Sequence, residues 1–376
     1  MGSSPADLQV LVQMMERLGV APEELLAVVQ PESVPTFEQF VPVAFEATSQ
    51  GSRAVFQSYW NRIVACWGTR RLDEPTPREL VEVIEHFRAT AKRRRHHTNG
   101  AGAAKHAYDA LERLYRVAVD ERVLSSQQNP MLRVRRPRRA KTRRYALSSQ
   151  LLDCICRTAA ETGQDPRLDA LLIRFHLETA ARPSGALNLR LEDLDVANLL
   201  VTLTEKGTKR QQPVSLTLME GLLDHAKERG VQDKESQLFR FPDGRPMSKL
   251  RYLSLWARLG RYIEVVYKEG ITTYWLRHTT LTWVERNFGL AVARAYGGHA
   301  ENHLWYGVTA HYVKASLAEV ATALQTLTGE PHPLASPGSL IPQRSEVLPT
   351  SIYGLPPRSE PSSDQYLLQK PGHNAY

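Results

Sequence analysis

Five residues in the second half of the chain stand where they could act together on a phosphate. Arg182 lies in Thr179-Ala180-Ala181-Arg182-Pro183-Ser184-Gly185, a helix-break-helix junction in which backbone N–H groups are also free. Lys206 sits on a polar turn, Lys206-Gly207-Thr208-Lys209, and Arg277 opens the helix of Trp275-Leu276-Arg277-His278-Thr279. His299 follows Gly297-Gly298, and Tyr312 precedes an amphipathic stretch, Ala315–Leu327. Two arginines and a lysine with a histidine and a tyrosine, without a carboxylate cluster, suit phosphoryl transfer done without metal. Arginine forks grip phosphate oxygens in pairs and can neutralise charge that develops in a transition state. Taken singly, each residue has a plainer reading: a solvated arginine, an exposed turn lysine, a loop histidine. Trp275, Trp283, Trp305 and Tyr306 read as core or interface residues rather than base-stacking ones. His299 and His303 stand four apart with Glu301 between them, but HAENH lacks the HExxH order that places a general base beside two ligands. No metal and no other cofactor is assigned.

The elements that must hold these residues fall into blocks. Residues 1–36 read as a short N-terminal helical segment. It has an apolar stripe of Leu8, Leu11, Met15 and Leu18 closed by Gly19, then a second short helix from Pro22 to Pro31. From 37 to 132 every periodic segment is helical: Phe37–Thr48, Ser52–Trp67, Pro77–Arg95 and Ala103–Glu121. Residues 133–144 form a basic linker. The second domain, 145–329, begins with a helix capped by Ser148-Ser149 and another from Pro166 to Thr179. Alternating residues 200–204 and 211–216 then flank the polar turn as a β-hairpin. Helical periodicity returns from Leu218 to about Leu327. The stretch 330–376 carries nine of the 23 prolines in 47 residues and too little apolar surface to offset its ordering entropy, so it reads as a disordered tail. The fold class expected is mainly α with one small β-hairpin, the second domain being α+β.

Charge names the partner. The chain of 376 residues has 48 Lys+Arg against 40 Asp+Glu, net +8, and the segment RVRRPRRAKTRR (133–144) alone holds eight basic residues and no acid. Arg135, Arg136, Arg138, Arg139 and Lys141 of that run are nucleic-acid-contact candidates. So are Lys92, Arg93, Arg94 and Arg95 upstream, and Lys209 on the hairpin. Dense cationic segments bind phosphate backbones by counterion release. Three cysteines are too few for a secreted disulfide framework, and the N-terminus lacks the basic start and apolar run of a signal peptide. No apolar run approaches the ~20 residues of a membrane span. A cytoplasmic protein without membrane association is expected.

Order and spacing add a resemblance. TAARPSGALNLRLEDLD (179–195) resembles the first arginine box of the tyrosine recombinase, or phage integrase, family. TEKGTKRQQPVSL (204–216) looks like its lysine hairpin. YWLRHTTLTWVE (274–285) is similar to its second arginine box, and GGHAENHLWYGVTAHYVKAS (297–316) to the final box that ends in the tyrosine nucleophile. The resemblance implies a helical core-binding domain over 37–132 and a catalytic domain over 145–329, closing on DNA as a C-shaped clamp. Tyr312 would attack a phosphodiester to give a 3′-phosphotyrosyl link and a free 5′-hydroxyl. Arg182, Arg277 and His299 would hold the phosphate oxygens, and Lys206 would be general acid to the leaving oxygen. Tyr274 stands where the family usually has histidine, and Gly185 where it often has an acid. Tyr306 is the competing nucleophile, but Thr309 keeps its place three residues before Tyr312. Partners implied are double-stranded DNA, a homo-tetramer on paired DNA sites with the helix after Tyr312 docking on a neighbour, and accessory DNA-bending or directionality proteins. Two other functions stay open: a DNA-binding protein on the same fold that no longer cuts, and a topoisomerase-like enzyme that relaxes DNA without exchanging strands.

Overall fold

Hydroxyl and carboxylate side chains set where most of the helices begin. In the computed structural model, which describes residues 5–19, 34–91, 100–138, 144–299 and 315–336, the chain divides into two units, 1–142 and 143–376. The first contains α1 (Pro5–Leu18), α2 (Phe37–Glu46), α3 (Gln50–Trp67), α4 (Pro77–Ala89) and α5 (Ala101–Asp120). Thr36 with Gln39 and Thr76 with Glu79 close reciprocal capping boxes on α2 and α4. Small residues on α5, Ala104, Ala107 and Ala110, let its neighbours approach closely, and Leu111, Leu114 and Tyr115 fill the centre. Buried polar tips find partners: the Trp60 indole N–H donates to the Ala110 carbonyl at 2.9 Å and the Tyr115 hydroxyl to that of Leu72 at 3.0 Å.

Two sequence expectations are corrected in this unit. Helix α4 stops at Ala89, not Arg95. The N–H of Thr90 makes the last helical bond, to the His86 carbonyl at 2.9 Å, its hydroxyl adds a second at 2.8 Å, and its ψ of 3° turns the chain out of the helix. The basic run is also not a free linker at its start. Met131 and Val134 are buried in the helical core, and Arg136 is tied to Asp109 at 2.6 Å. The second short helix expected from Pro22 lies outside the described residues.

The second unit contains α6 (Ser149–Glu161), α7 (Pro166–Thr179), α8 (Pro183–Asn188), β1 (Leu194–Asp195), β2 (Leu200–Glu205), β3 (Thr208–Pro213), α9 (Leu216–Glu228), α10 (Lys249–Tyr262), α11 (Glu264–Glu269), α12 (Thr273–Gly297) and α13 (Leu317–Thr328). Helix α7 runs through the core, with every residue from Leu171 to Thr179 buried. A helix so enclosed must neutralise its charges locally. Asp169 accepts from Arg251 and Arg258 of α10, and Arg174 pairs with Glu178 at 2.7 Å. The sheet is antiparallel in the order β1-β2-β3, with Glu205 opposite Thr208. Lys206 and Gly207, at φ 50° and 78°, make a two-residue turn of the left-handed kind that suits twisted hairpins. The turn is thus tighter than the four residues expected, and Thr208 and Lys209 belong to β3.

Helical periodicity after Leu218 is interrupted. Residues 229–248 fold as a loop held by isolated bridges, Arg190 to Gln237 and Arg240 to Pro246, and Gly289 breaks α12 at φ 84°. The expected tail is also shortened. Glu330 bonds Arg174 at 2.9 Å and the Thr217 N–H at 3.0 Å, while His332 donates to the Leu199 carbonyl at 3.1 Å, so residues 330–336 are part of the fold. The apolar face of α13, with Val320, Ala321, Leu324 and Leu327, is buried within its own unit. That corrects the expectation that this face docks on a neighbouring copy. No described helix is long and apolar enough to cross a membrane.

Candidate active site

Pro183 decides where Arg182 stands. The residue before a proline is pushed to extended backbone, and Arg182 at φ −77°, ψ 159° is the N-cap of α8 with Pro183 as its first helical residue. One step earlier, Ala180 turns left-handed at φ 49° and ends α7. The three consecutive carbonyls of this junction are each held by a different basic side chain. Arg210 donates to Thr179 at 3.1 Å, Arg277 to Ala180, and His176 to Ala181 at 3.0 Å. A carbonyl cannot donate, so His176 carries its proton on Nδ1, and its Nε2 accepts from the Tyr252 hydroxyl at 2.7 Å. Burial, and then the nearby Arg277 charge, push His176 down to about 4, which keeps it neutral in this role.

Arg277 sits one turn into α12, and its side chain is buried. Besides Ala180 it donates to the Gly297 carbonyl at 2.6 Å and to His299 Nε2 at 3.1 Å. It therefore joins the α7–α8 junction to the far end of its own helix. That end is closed by Gly298 in the left-handed region, with the Gly298 N–H on the Ala295 carbonyl and the His299 N–H on that of Arg294, the paired closure typical of a glycine-terminated helix. His299 is thereby fixed one residue past the glycine. A guanidinium only donates, so Nε2 of His299 is an acceptor and its N–H is on Nδ1. Burial, followed by the charges of Arg277, Arg182, Arg294 and Arg210, pushes His299 down to about 4.

Arg182 turns to Glu205, the last residue of β2. Its backbone N–H donates to Glu205 Oε1 at 2.5 Å and its Nη1 to Oε2 at 2.6 Å. Burial, then the charge of Arg182, lower Arg277 to about 10. Burial does the same to Arg210, with Glu205 opposing. Three guanidinium groups thus gather around one carboxylate, an arrangement that attracts an anion. Lys206, next along the chain, is exposed at the hairpin tip.

The structure brings Arg182, Arg277 and His299 together and sets Lys206 beside Glu205. Tyr274 lies in the first turn of α12, 45% exposed, with the Arg144 guanidinium 5.5 Å from its ring centre. Lys209 is exposed on β3, and Arg135, Arg136 and Arg138 are exposed in the first unit. Tyr312, Tyr306, Lys92, Arg93, Arg94, Arg95, Arg139 and Lys141 lie outside the described residues. Sequence reasoning missed Glu205, Arg210 and His176. The only signal for Glu205 was a charged residue at an inward position of β2; for His176 it was a histidine on an otherwise apolar helix.

The small α+β unit with its cluster of arginines at a helix junction can be set beside known proteins. Residues 146–316 match the profile of the phage integrase family. The tyrosine recombinase XerD of Lacticaseibacillus casei is 23% identical over 211 residues, 54% of this chain and 70% of that protein. Lambda integrase, solved as a tetramer bound to a Holliday junction, superposes with TM-score 0.56 at 16% identity, over 82% of this chain and 91% of that one. The Tn1549 transposon integrase, solved with circular intermediate DNA, gives TM-score 0.57 at 14% identity over 75% and 96%. Over residues 146–316 the chain is thus similar to the phage integrase, or tyrosine recombinase, family.

Proposed function

We propose that this chain is a site-specific recombinase that cleaves and rejoins DNA through a tyrosyl intermediate. The observation that carries the reading is the convergence of Arg182, Arg277 and His299 on one junction. Arg277 has five N–H donors, of which three serve Ala180, Gly297 and His299. Two remain for a phosphate oxygen. Arg182 places one side-chain donor on Glu205 and has the rest of its fork for the other non-bridging oxygen. His299 offers Nδ1–H.

In this mechanism the Tyr312 oxygen attacks phosphorus, the bond to the 5′-oxygen breaks, and Lys206 gives that oxygen its proton. The 5′-hydroxyl of a partner strand then reverses the attack, and the phosphodiester is reformed without an outside energy source. Such exchange needs two duplexes. A homo-tetramer on paired sites, the state in which lambda integrase was solved on its junction, fits that need, with accessory DNA-bending proteins setting direction. The exposed Arg135 and Arg138 and the segments around Arg93 and Lys141 supply backbone contacts.

The test uses nicked duplexes that trap the covalent intermediate, taken from a random library and from DNA flanking the chain's own gene, with chelator present. Tyr312→Phe should abolish the adduct and leave DNA affinity within about threefold, while Tyr306→Phe should retain it. Binding without any adduct from the wild-type chain would favour the non-cutting DNA-binding reading. Relaxation of siteless supercoiled DNA by a monomer would favour the topoisomerase-like one.

A further inference from the structure

Helix α8 starts in an unusual way. Its N-cap, Arg182, has no side chain that can bond the first turn, and its third residue, Gly185, has no side chain at all. In an ordinary capping box the third residue is Glu or Gln, and its side chain reaches back to the N-cap N–H. Here the Arg182 N–H is bonded instead by Glu205 Oε1, from the end of β2 and 23 residues away in sequence. The second oxygen of the same carboxylate takes the Arg182 guanidinium. Glu205 is 3% exposed, so this is a charge placed deliberately inside the unit. The space for it exists because residue 185 is glycine: a Cβ there would stand 2.6 Å from Glu205 Oε1 and 3.3 Å from the Ala181 Cβ. Gly185 is helical and has no left-handed backbone to explain it. The contact with Glu205 does.

We infer that Glu205 is the positioning residue for Arg182, doing from the hairpin what a carboxylate at position 185 would do from the helix. Glu205 holds both the backbone and the fork of Arg182, and Lys206 is the next residue. One carboxylate therefore sets the distance between the arginine that grips the phosphate and the lysine that protonates the leaving oxygen. A carboxylate supplied by α8 would orient Arg182 alone. Charge supports the same role. With Glu205 neutral, Arg182, Arg210 and Arg277 would repel one another without a shared counter-charge, and the fork of Arg182 would swing away from the junction.

The inference rests on the recombinase reading, and its test uses the full chain on the nicked trapping duplex. Under single-turnover conditions Glu205→Gln should slow adduct formation about a hundredfold, the loss expected for a misplaced catalytic group, while DNA affinity stays within about threefold. Glu205→Gly should do the same or worse. The double exchange Glu205→Gly with Gly185→Glu should recover at least about tenfold over Glu205→Gly alone, because the new side chain enters the space that the old one leaves. Gly185→Glu by itself should be impaired, since both carboxylates would claim one site. Thermal unfolding of each variant confirms a folded chain. Wild-type adduct with an unchanged rate in Glu205→Gln overturns this inference alone. A folded double exchange no faster than Glu205→Gly overturns it as well. No adduct from the wild type refutes the cleavage reading, and the inference falls with it.

Discussion

Replacing His176 by leucine should disturb the junction before Arg182 in a way that a second replacement partly repairs. His176 is 1% exposed and Tyr252 7%. The imidazole donates to the Ala181 carbonyl and accepts from the Tyr252 hydroxyl. His176→Leu leaves both groups buried without a partner. Each such orphan costs about 1–3 kcal/mol, so the single variant should lose about 2–6 kcal/mol. At about 2–4 °C per kcal/mol for a unit of this size, Tm should fall by roughly 4–24 °C. Tyr252→Phe orphans only Nε2 and should lose about 1–3 kcal/mol. The double variant has no tyrosine hydroxyl left to satisfy, so its loss is only that of the Ala181 carbonyl, about 1–3 kcal/mol. Tyr252→Phe, destabilising in the wild type, should therefore raise Tm when added to His176→Leu. Thermal unfolding by circular dichroism at pH 7 measures the cycle. Additive losses would refute the pairing. Cleavage, measured well below Tm, should fall in His176→Leu because Ala181 precedes Arg182.

Other outcomes follow from the same geometry. His176 and His225 are both held near 4 by burial, against 6.5 in the unfolded chain. Between these values the unfolded state binds protons that the folded state refuses, so stability is full above about pH 6.5 and falls as pH drops toward 4. The loss is up to about 3 kcal/mol per histidine, and a urea titration across pH 4–7 that shows no such slope would contradict it. Gly298→Ala should lower Tm and slow cleavage, because φ is 57° and the new Cβ would meet the Arg210 side chain at 2.4 Å, displacing the residue before His299. Unchanged kinetics would separate His299 from that cap. Replacing both Arg135 and Arg138 by alanine should weaken DNA binding on every sequence alike and reduce the slope of log K against log salt by about 2; an unchanged slope, measured by fluorescence anisotropy, would remove them from the interface.

Three of the four boxes were legible because each couples a polar functional residue to a local breaker: Pro183 beside Arg182, Gly207 beside Lys206, Gly298 beside His299. Chain-local rules reach that far. What binds the boxes to one another was not legible. Glu205 answers Gly185 across 20 positions, and Arg277 reaches the Ala180 carbonyl from 97 residues away. Such pairings depend on which carbonyls a fold leaves unbonded, which no local pattern discloses. Helix ends failed for a related reason. Helix α4 ends at Thr90, whose ψ is 3°, with no glycine or proline in the next eight residues to mark the stop. The apolar stripe of α13 was visible, but a stripe does not say which copy of the chain it faces.

The strap formed by residues 330–336 bears on how the molecule is made. Glu330 meets Arg174 across 156 residues and His332 meets the Leu199 carbonyl across 133. Contacts so distant along the chain form late, after shorter loops have closed. During synthesis, a chain that has not yet reached Glu330 holds Arg174 in the core without this second carboxylate, and the N–H of Thr217 at the start of α9 lacks its acceptor. The second unit therefore closes its last buried polar contacts only after residues 330–332 have been made.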